Sequence, residues 1–244
     1  MYRTIAGLVA VTLSLLVPAV RAEDAPKPPD NAIILFDGTD LSKWQGKDGG
    51  EAKWTIADGA VEVTPKAGDI TTKEKWEDCT LHVEFRTPVP AEGDKGQHRG
   101  NSGIFLQGRY EIQVLESFGL TPTNGDCGSL YSITAPSKNM AKPPMEWQSY
   151  DIMFNAPKFD ADGKKTANGK FTLIWNGEKV HDNTDIPSPT RNHKAVEEPG
   201  PGPIVLQDHG FKVQYRNIWI VPGAPAAGTP AVSTPAVSTP APSK

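Results

Sequence analysis

The 244-residue chain is short of cysteine, of basic charge and of long apolar runs, and each shortage closes a class of function. Two cysteines, Cys79 and Cys127, are too few for a multi-cysteine zinc site or a disulfide-dense scaffold. Net charge is −4. It becomes −6 once the first 22 residues, which carry Arg3 and Arg21 and no acid, are set aside. Such a surface does not favour nucleic acid, which selects a basic face. No block of like charges marks a polybasic membrane patch. The apolar stretch at residues 5–17 has about 13 positions, short of the roughly 20 needed to span a bilayer. The motifs H-x-H, H-E-x-x-H and G-x-S-x-G are missing, as is any phosphate-cradling loop. No window of about 12 residues repeats its apolar positions with a helical period.

What is present divides the chain into a domain and two ends. Residues 1–22 have the order of a secretory signal: Arg3, the apolar stretch, then Val20 and Ala22 at the −3 and −1 positions of a cleavage site. Export to the periplasm or beyond is therefore expected, without stable membrane insertion after cleavage. No cysteine follows the apolar run, which excludes a bacterial lipoprotein anchor. Residues 23–30 (EDAPKPPD) form a Pro-rich linker. Residues 223–244 are rich in Pro, Ala, Ser and Thr and repeat TPAVS, a composition that cannot bury a core and predicts a mobile tail. The remaining residues, 31–222, suit one domain. In an oxidising compartment Cys79 and Cys127 are expected to pair, closing a loop whose chain-entropy contribution is roughly 4 kcal/mol.

The domain alternates with a period of two. Trp54-Thr55-Ile56 and Val61-Glu62-Val63 flank Asp58-Gly59, a hairpin signal that recurs at Asn176-Gly177. Further runs are 81–85, 103–106, 110–114, 150–155, 170–175, 177–181, 204–207 and 213–221. About a dozen short strands without crossover helices predict an all-β antiparallel sandwich, best a two-sheet jelly roll. A concave sheet face in such a fold suits an extended sugar.

Polar residues inside strands carry the functional signal. His82 and Glu84 share a face of 81–85, and the simplest expectation for them is a solvated outer surface. Glu111 and Gln113 share a face of 110–114, and a bulge at Val114-Leu115 would bring Glu116 to the same side. The resulting E-x-Q-x-x-E is similar to the E-x-D-x-x-E strand of laminarinase-type jelly-roll glucanases. Their two Glu act as nucleophile and acid/base, about 5–5.5 Å apart in retaining enzymes. Gln113 stands here in place of the central Asp, which argues against the standard hydrolase mechanism. Upstream, Arg99-Gly100-Asn101-Ser102-Gly103 could turn Arg99 and Asn101 toward sugar hydroxyls or an oxyanion. Downstream, Gln207-Asp208-His209 closes a strand, and His209 could act as base, ligand or donor. His98 and His193 fall in loops. Asp160-Ala161-Asp162-Gly163 lacks the ligand spacing of a calcium loop and suits a hairpin.

In order along the chain, LFDGTDLSKW (35–44), WTIADG (54–59), RGNSGIFL (99–106), YEIQVL (110–115), CGSLY (127–131), EWQSYD (146–151), GPIVLQDHG (202–210) and YRNIWI (215–220) resemble the 3-keto-disaccharide hydrolase family. Its domain is also described as 3-keto-glucoside 1,2-lyase/3-keto-2-hydroxy-glucal hydratase. The resemblance covers nearly all of residues 32–221. It departs at Leu115-Glu116-Ser117, where many members carry Asp. The resemblance implies a concanavalin A-like jelly-roll sandwich and a glycoside or oligosaccharide substrate.

The chemistry so implied begins with a 3-keto group, which acidifies the hydrogen on C2. A base removes it, the enolate expels the C1 substituent, and water adds back across the glucal. Glu111 and Glu116 are the expected base and acid. Arg99 is the expected partner of the enolate oxygen, with His209 as the alternative. Asn101, Gln113, Gln207 and Asp208 would hold sugar hydroxyls. Tyr131 and Trp147 are possible stacking platforms, although core packing is the more ordinary role for Trp147. A divalent cation could assist the enolate, but no metal ligand set is assigned and the sequence does not demand one. A sugar-binding module without turnover and an ordinary retaining glycoside hydrolase are the competing readings.

Overall fold

The computed structural model describes residues 26–190 and 198–225. The signal segment, His193 and the tail beyond residue 225 lie outside the described residues. An eight-stranded sheet has the order β13 (Glu178–Ile186), β12 (Gly169–Trp175), β9 (Gln148–Asn155), β6 (Cys79–Arg86), β15 (Gln214–Pro222), β4 (Ala60–Glu62) and β3 (Thr55–Ala57), with β1 (Ile33–Phe36) also pairing β15. A five-stranded sheet has the order β2 (Trp44–Gly46), β5 (Ile70–Thr72), β14 (Val205–Leu206), β7 (Ser102–Leu106) and β8 (Tyr110–Val114). The short ribbon β10 (Lys158–Phe159) and β11 (Lys165–Ala167) stands apart. Every pairing is antiparallel. Among the described residues there is no α-helix, only a 3-10 turn at Gly96–His98, and no helix long and apolar enough to cross a membrane. The fold is the all-β, concanavalin A-like jelly-roll sandwich.

Alternation explains the core. Leu81, Val83 and Phe85 of β6, Tyr150, Ile152 and Phe154 of β9, and Leu173 and Trp175 of β12 face inward from the large sheet. Ile104, Leu106, Ile112 and Val114 answer from the small one. Each such side chain contributes about 1.5–3 kcal/mol by leaving water. Both expected hairpins form, with positive φ at Asp58 and Gly59 and again at Asn176 and Gly177, as two-residue turns of this hand require.

Two tyrosine hydroxyls cross the core and fix the small sheet against the large one. Tyr150 donates to the Gln113 carbonyl at 2.9 Å, and Tyr215 donates to Ser102 Oγ at 2.7 Å. Ser102 Oγ in turn donates to the Gln207 carbonyl at 2.6 Å.

The expected disulfide is corrected. Cys79 and Cys127 are buried free thiols, each pushed up to about 12 by burial. Cys79 pairs with Phe154, whereas Cys127 Sγ lies 3.0 Å from the hydroxyl of Tyr150, which pairs with Val83. Four residues along a strand span about 13 Å, and a disulfide needs Cα atoms within about 7 Å.

Candidate active site

Strands β7 and β8 are buried at every position, on both faces. Their inner face is apolar core; their outer face carries Gly103, Phe105, Glu111 and Gln113. Gly103 pairs with Gln113 and Phe105 with Glu111. On the neighbouring strands the core-facing Leu206 pairs with both Ile70 and Ile104. The next position on each strand therefore faces outward, and Asp69, Gln207 and Gly103 follow one another in a single row. Backbone contacts agree: Gln207 N–H donates to the Gly103 carbonyl at 3.0 Å, and Asp208 N–H donates to Asp69 Oδ1 at 2.9 Å.

Glu111 stands at the centre, 4% exposed. Its N–H donates to Thr190 Oγ1 at 3.0 Å and its carbonyl accepts from Tyr131 N–H at 3.0 Å, so the outer edge of β8 is sealed around it. Its carboxyl lies across Gly103: a Cβ placed there would stand 2.5 Å from Oε1. Burial, and then the negative charge of Asp69, push the Glu111 carboxyl up to about 8. Gln113 has two amide senses. Facing the loop, Nε2 donates to Gln97 Oε1 at 2.8 Å. Turned over, it donates to Glu111 Oε1 at 3.0 Å and to the Ser102 carbonyl at 2.9 Å. The second sense gives an ionised Glu111 a donor, but it sets the Gln113 oxygen 2.8 Å from Gln97 Oε1, so the Gln97 amide must turn with it. Asn101 Nδ2 donates to Gln97 Oε1, and Gln97 Nε2 to the Gly125 carbonyl, both at 2.8 Å.

The other expected residues have partners or positions of their own. Strand β8 stops at Val114, and Glu116 N–H donates to the Arg99 carbonyl at 2.9 Å. The Arg99 guanidinium pairs with the Glu116 carboxylate and donates to its carbonyl at 3.0 Å. Phe118 N–H donates to Glu116 Oε1 at 2.9 Å. Glu111 and Glu116 thus share no hydrogen-bond partner among the described residues. Asp208 staples its loop, accepting from Gly68 and Gly210 N–H groups at 2.9 Å each. His209 is exposed, with its ring stacked on Phe211. Gln207 Oε1 is buried without a hydrogen-bond partner. Tyr131 is half-buried and touches the site through its backbone. Trp147 lies on the far side of the sandwich, between the guanidiniums of Arg86 and Arg216 at 4.7 and 4.1 Å. A cleft of about 670 Å³ lined by Asp40, Trp44, Glu51 and Lys73 sits at the β2 edge, away from β8.

Asp69, Gln97 and Thr190 were not singled out by sequence. Asp69 precedes Ile70-Thr71-Thr72, a three-residue strand too short to signal its parity. Gln97 and Thr190 lie in irregular segments with no period to read.

A second buried polar cluster corrects the expectation of a solvated face. His82 and Glu84 do face outward from the large sheet, but both are buried. His82 Nδ1 lies 2.6 Å from Asp151 Oδ1, and the ring stacks on Trp219 at 4.9 Å. Glu84 accepts from Arg216 Nε at 2.6 Å and Asn217 Nδ2 at 2.9 Å. Asn217 Nδ2 also donates to the Pro26 carbonyl at 3.1 Å, under the N-terminal segment. Burial opposes charge on His82, but hydrogen bonds to Asp151 and Glu84 prevail and raise it. Burial likewise opposes charge on Glu84, yet its partners hold it at about 2.

The model of the 3-keto-alpha-glucoside-1,2-lyase-like domain matches residues 31–221, nearly all the ordered sandwich. The chain belongs to that family. This lyase-like domain is 42% identical to a candidate glycosyl hydrolase of Parabacteroides distasonis ATCC 8503, over 80% of this chain and 85% of that one, with a TM-score of 0.75. A second candidate glycosyl hydrolase of that organism shares the fold at 19% identity and a TM-score of 0.58, covering 79% and 94% of the two chains. No curated protein matches. Family membership makes the lyase-like domain a carbohydrate-active, glycosyl hydrolase-like protein with a sugar ligand. Among the described residues no three His, Cys, Asp or Glu stand together as a metal site.

Proposed function

We propose that the protein cleaves 3-keto-glycosides, with Glu111 as the base that takes the proton from C2. The carrying observation is a buried carboxyl poised near 8 on a sheet face lined with amides. A base tuned near the working pH combines ionisation with proton affinity. The C2–H electrons pass into the enolate of the 3-keto group. As the ketone re-forms, the C1–C2 double bond closes and the C1–O bond breaks, and the leaving oxygen takes a proton. Water then adds hydroxyl to C1 while C2 regains a proton, releasing the 3-keto sugar. Gln113, Asn101 and Gln207 supply amide groups for sugar hydroxyls, Gln207 through its unpartnered acceptor. Exposed His209, and Arg99 with its guanidinium a quarter exposed beside Glu116, are the N–H donors assigned to the keto oxygen. Ordinary retaining hydrolysis is disfavoured by Gln113, which stands where that chemistry carries an Asp between its two Glu.

Incubating residues 23–244 with a 3-keto glucoside and with its unoxidised parent tests this. Aglycone release from the keto sugar alone is expected. Release from both would favour a glycosidase; release from neither would favour a binding module. We further propose that the protein is exported, from the signal-like first 22 residues. N-terminal sequencing of the protein recovered from cells should begin at Glu23.

A further inference from the structure

We propose that Gly103 and Asp69 are positioning residues for Glu111: Gly103 leaves the space in which the carboxyl lies across β7, and Asp69 faces that carboxyl from beyond the Gln207 position. The inference rests on the reading of Glu111 as the base.

Gly103 sits in mid-strand, where glycine weakens a sheet and commonly marks close approach by another group. The approaching group is the Glu111 carboxyl, 2.5 Å from where a Cβ would stand, with its Cγ and Cδ both 3.1 Å away. Any side chain at 103 would push the carboxyl off the sheet. Beyond Gly103, the row continues through Gln207 to Asp69. Asp69 is fixed by the Asp208 N–H on its Oδ1, so its charge cannot swing freely away. Gln207 Oε1, buried and unpartnered, lies in the same row.

Among the described residues, the other titratable groups near Glu111 have partners or positions of their own. Strand β7 carries none. Asp208 is tied to Gly68 and Gly210, and His209 is exposed. Tyr215 lies beneath the sheet, bonded to Ser102, and Tyr131 flanks β8. Arg99 is committed to Glu116, while Arg109 is turned to Gln107 and the Gly200 carbonyl. Among the described residues, Asp69 is the remaining carboxylate that faces Glu111 across the outer surface.

The test is a carbon-13 carboxyl titration of the full chain, with Glu111→Gln assigning the Glu111 signal. Asp69→Asn is expected to move the Glu111 midpoint down toward the ordinary carboxylate range, while Asp69→Glu keeps it high. Gly103→Ala is expected to lower kcat on a 3-keto glucoside by about 10²-fold, the loss typical of a displaced reacting group. An unchanged midpoint in Asp69→Asn overturns the role of Asp69, and wild-type kcat in Gly103→Ala overturns that of Gly103. If Gly103→Ala does not fold, Gly103 is tested by the titration of Gly103→Ser instead, where an unmoved Glu111 midpoint counts against it. Should the wild type cleave no 3-keto glucoside, the functional reading fails, yet the titration still decides the arrangement of Asp69, Gly103 and Glu111.

Discussion

At the scale of single residues, Glu111 combines two opposing demands. Its folded value near 8 lies above an unfolded value near 4.5. Its contribution to stability is therefore whole below about pH 4.5 and is lost as pH rises through 8. Glu111→Gln removes that burden. The variant should be inactive yet melt higher than wild type, by a margin that grows between pH 4.5 and 8 and then levels off; melting curves across that range check it. For catalysis the sign is opposite, because the base works ionised. The wild-type kcat/KM should climb with pH to a midpoint near 8, and a flat profile would count against Glu111 as base. Thr190 matters on the same scale. Thr190→Val leaves the buried Glu111 N–H without its acceptor and should cost about 1–3 kcal/mol, measured by urea unfolding.

At the scale of strands, the His82–Asp151 pair ties β6 to β9 across the outer face of the large sheet. The raised His82 value places its stabilisation below about pH 6.5, fading as pH rises through the folded value. Breaking a buried pair typically costs about 3–5 kcal/mol. Asp151→Asn should therefore destabilise strongly at pH 5.5 and less at pH 8.5, a narrowing that paired unfolding curves would register. Glu84 acts at the other end, with stability present above about pH 4.5 and lost as pH falls toward 2. What could be read from sequence follows from strand length. Strands β6, β8, β9, β12 and β15 each show enough alternation to fix which side chains face in, and the two Gly-containing turns fix their hairpins. Strands β2, β5, β10 and β11 have two or three residues each, and β1 one turn of alternation, so their parity is visible only in the sheet. The same limit applied to the site. Glu111, Gln113 and Asn101 lay on readable strands or next to them, whereas Asp69 depended on a register that only its neighbours define. Glu116 was legible only as a conditional: Val114 and Leu115 are both core, as the expected bulge requires, while the capture of its carboxylate by Arg99 had no signal in the strand pattern.

At the scale of the whole molecule, the sandwich is held without a covalent cross-link between its cysteines. A reducing agent should leave the melting temperature unchanged, and thiol titration should find two thiols that react only after denaturation. The two tyrosine hydroxyls carry a different burden. They do not merely add hydrogen bonds; they set the lateral offset of one sheet over the other. Apolar contacts are non-directional and tolerate a small slide at little energetic loss, whereas a hydroxyl bonded to the Gln113 carbonyl or to Ser102 does not. Those two anchor points lie on the strands that present Glu111. The position of Glu111, the proposed base, is thus registered from the large sheet, by residues on the dry side of the sandwich. Tyr215→Phe should lower turnover more than its effect on melting would suggest, because the layers would stay joined while losing their alignment.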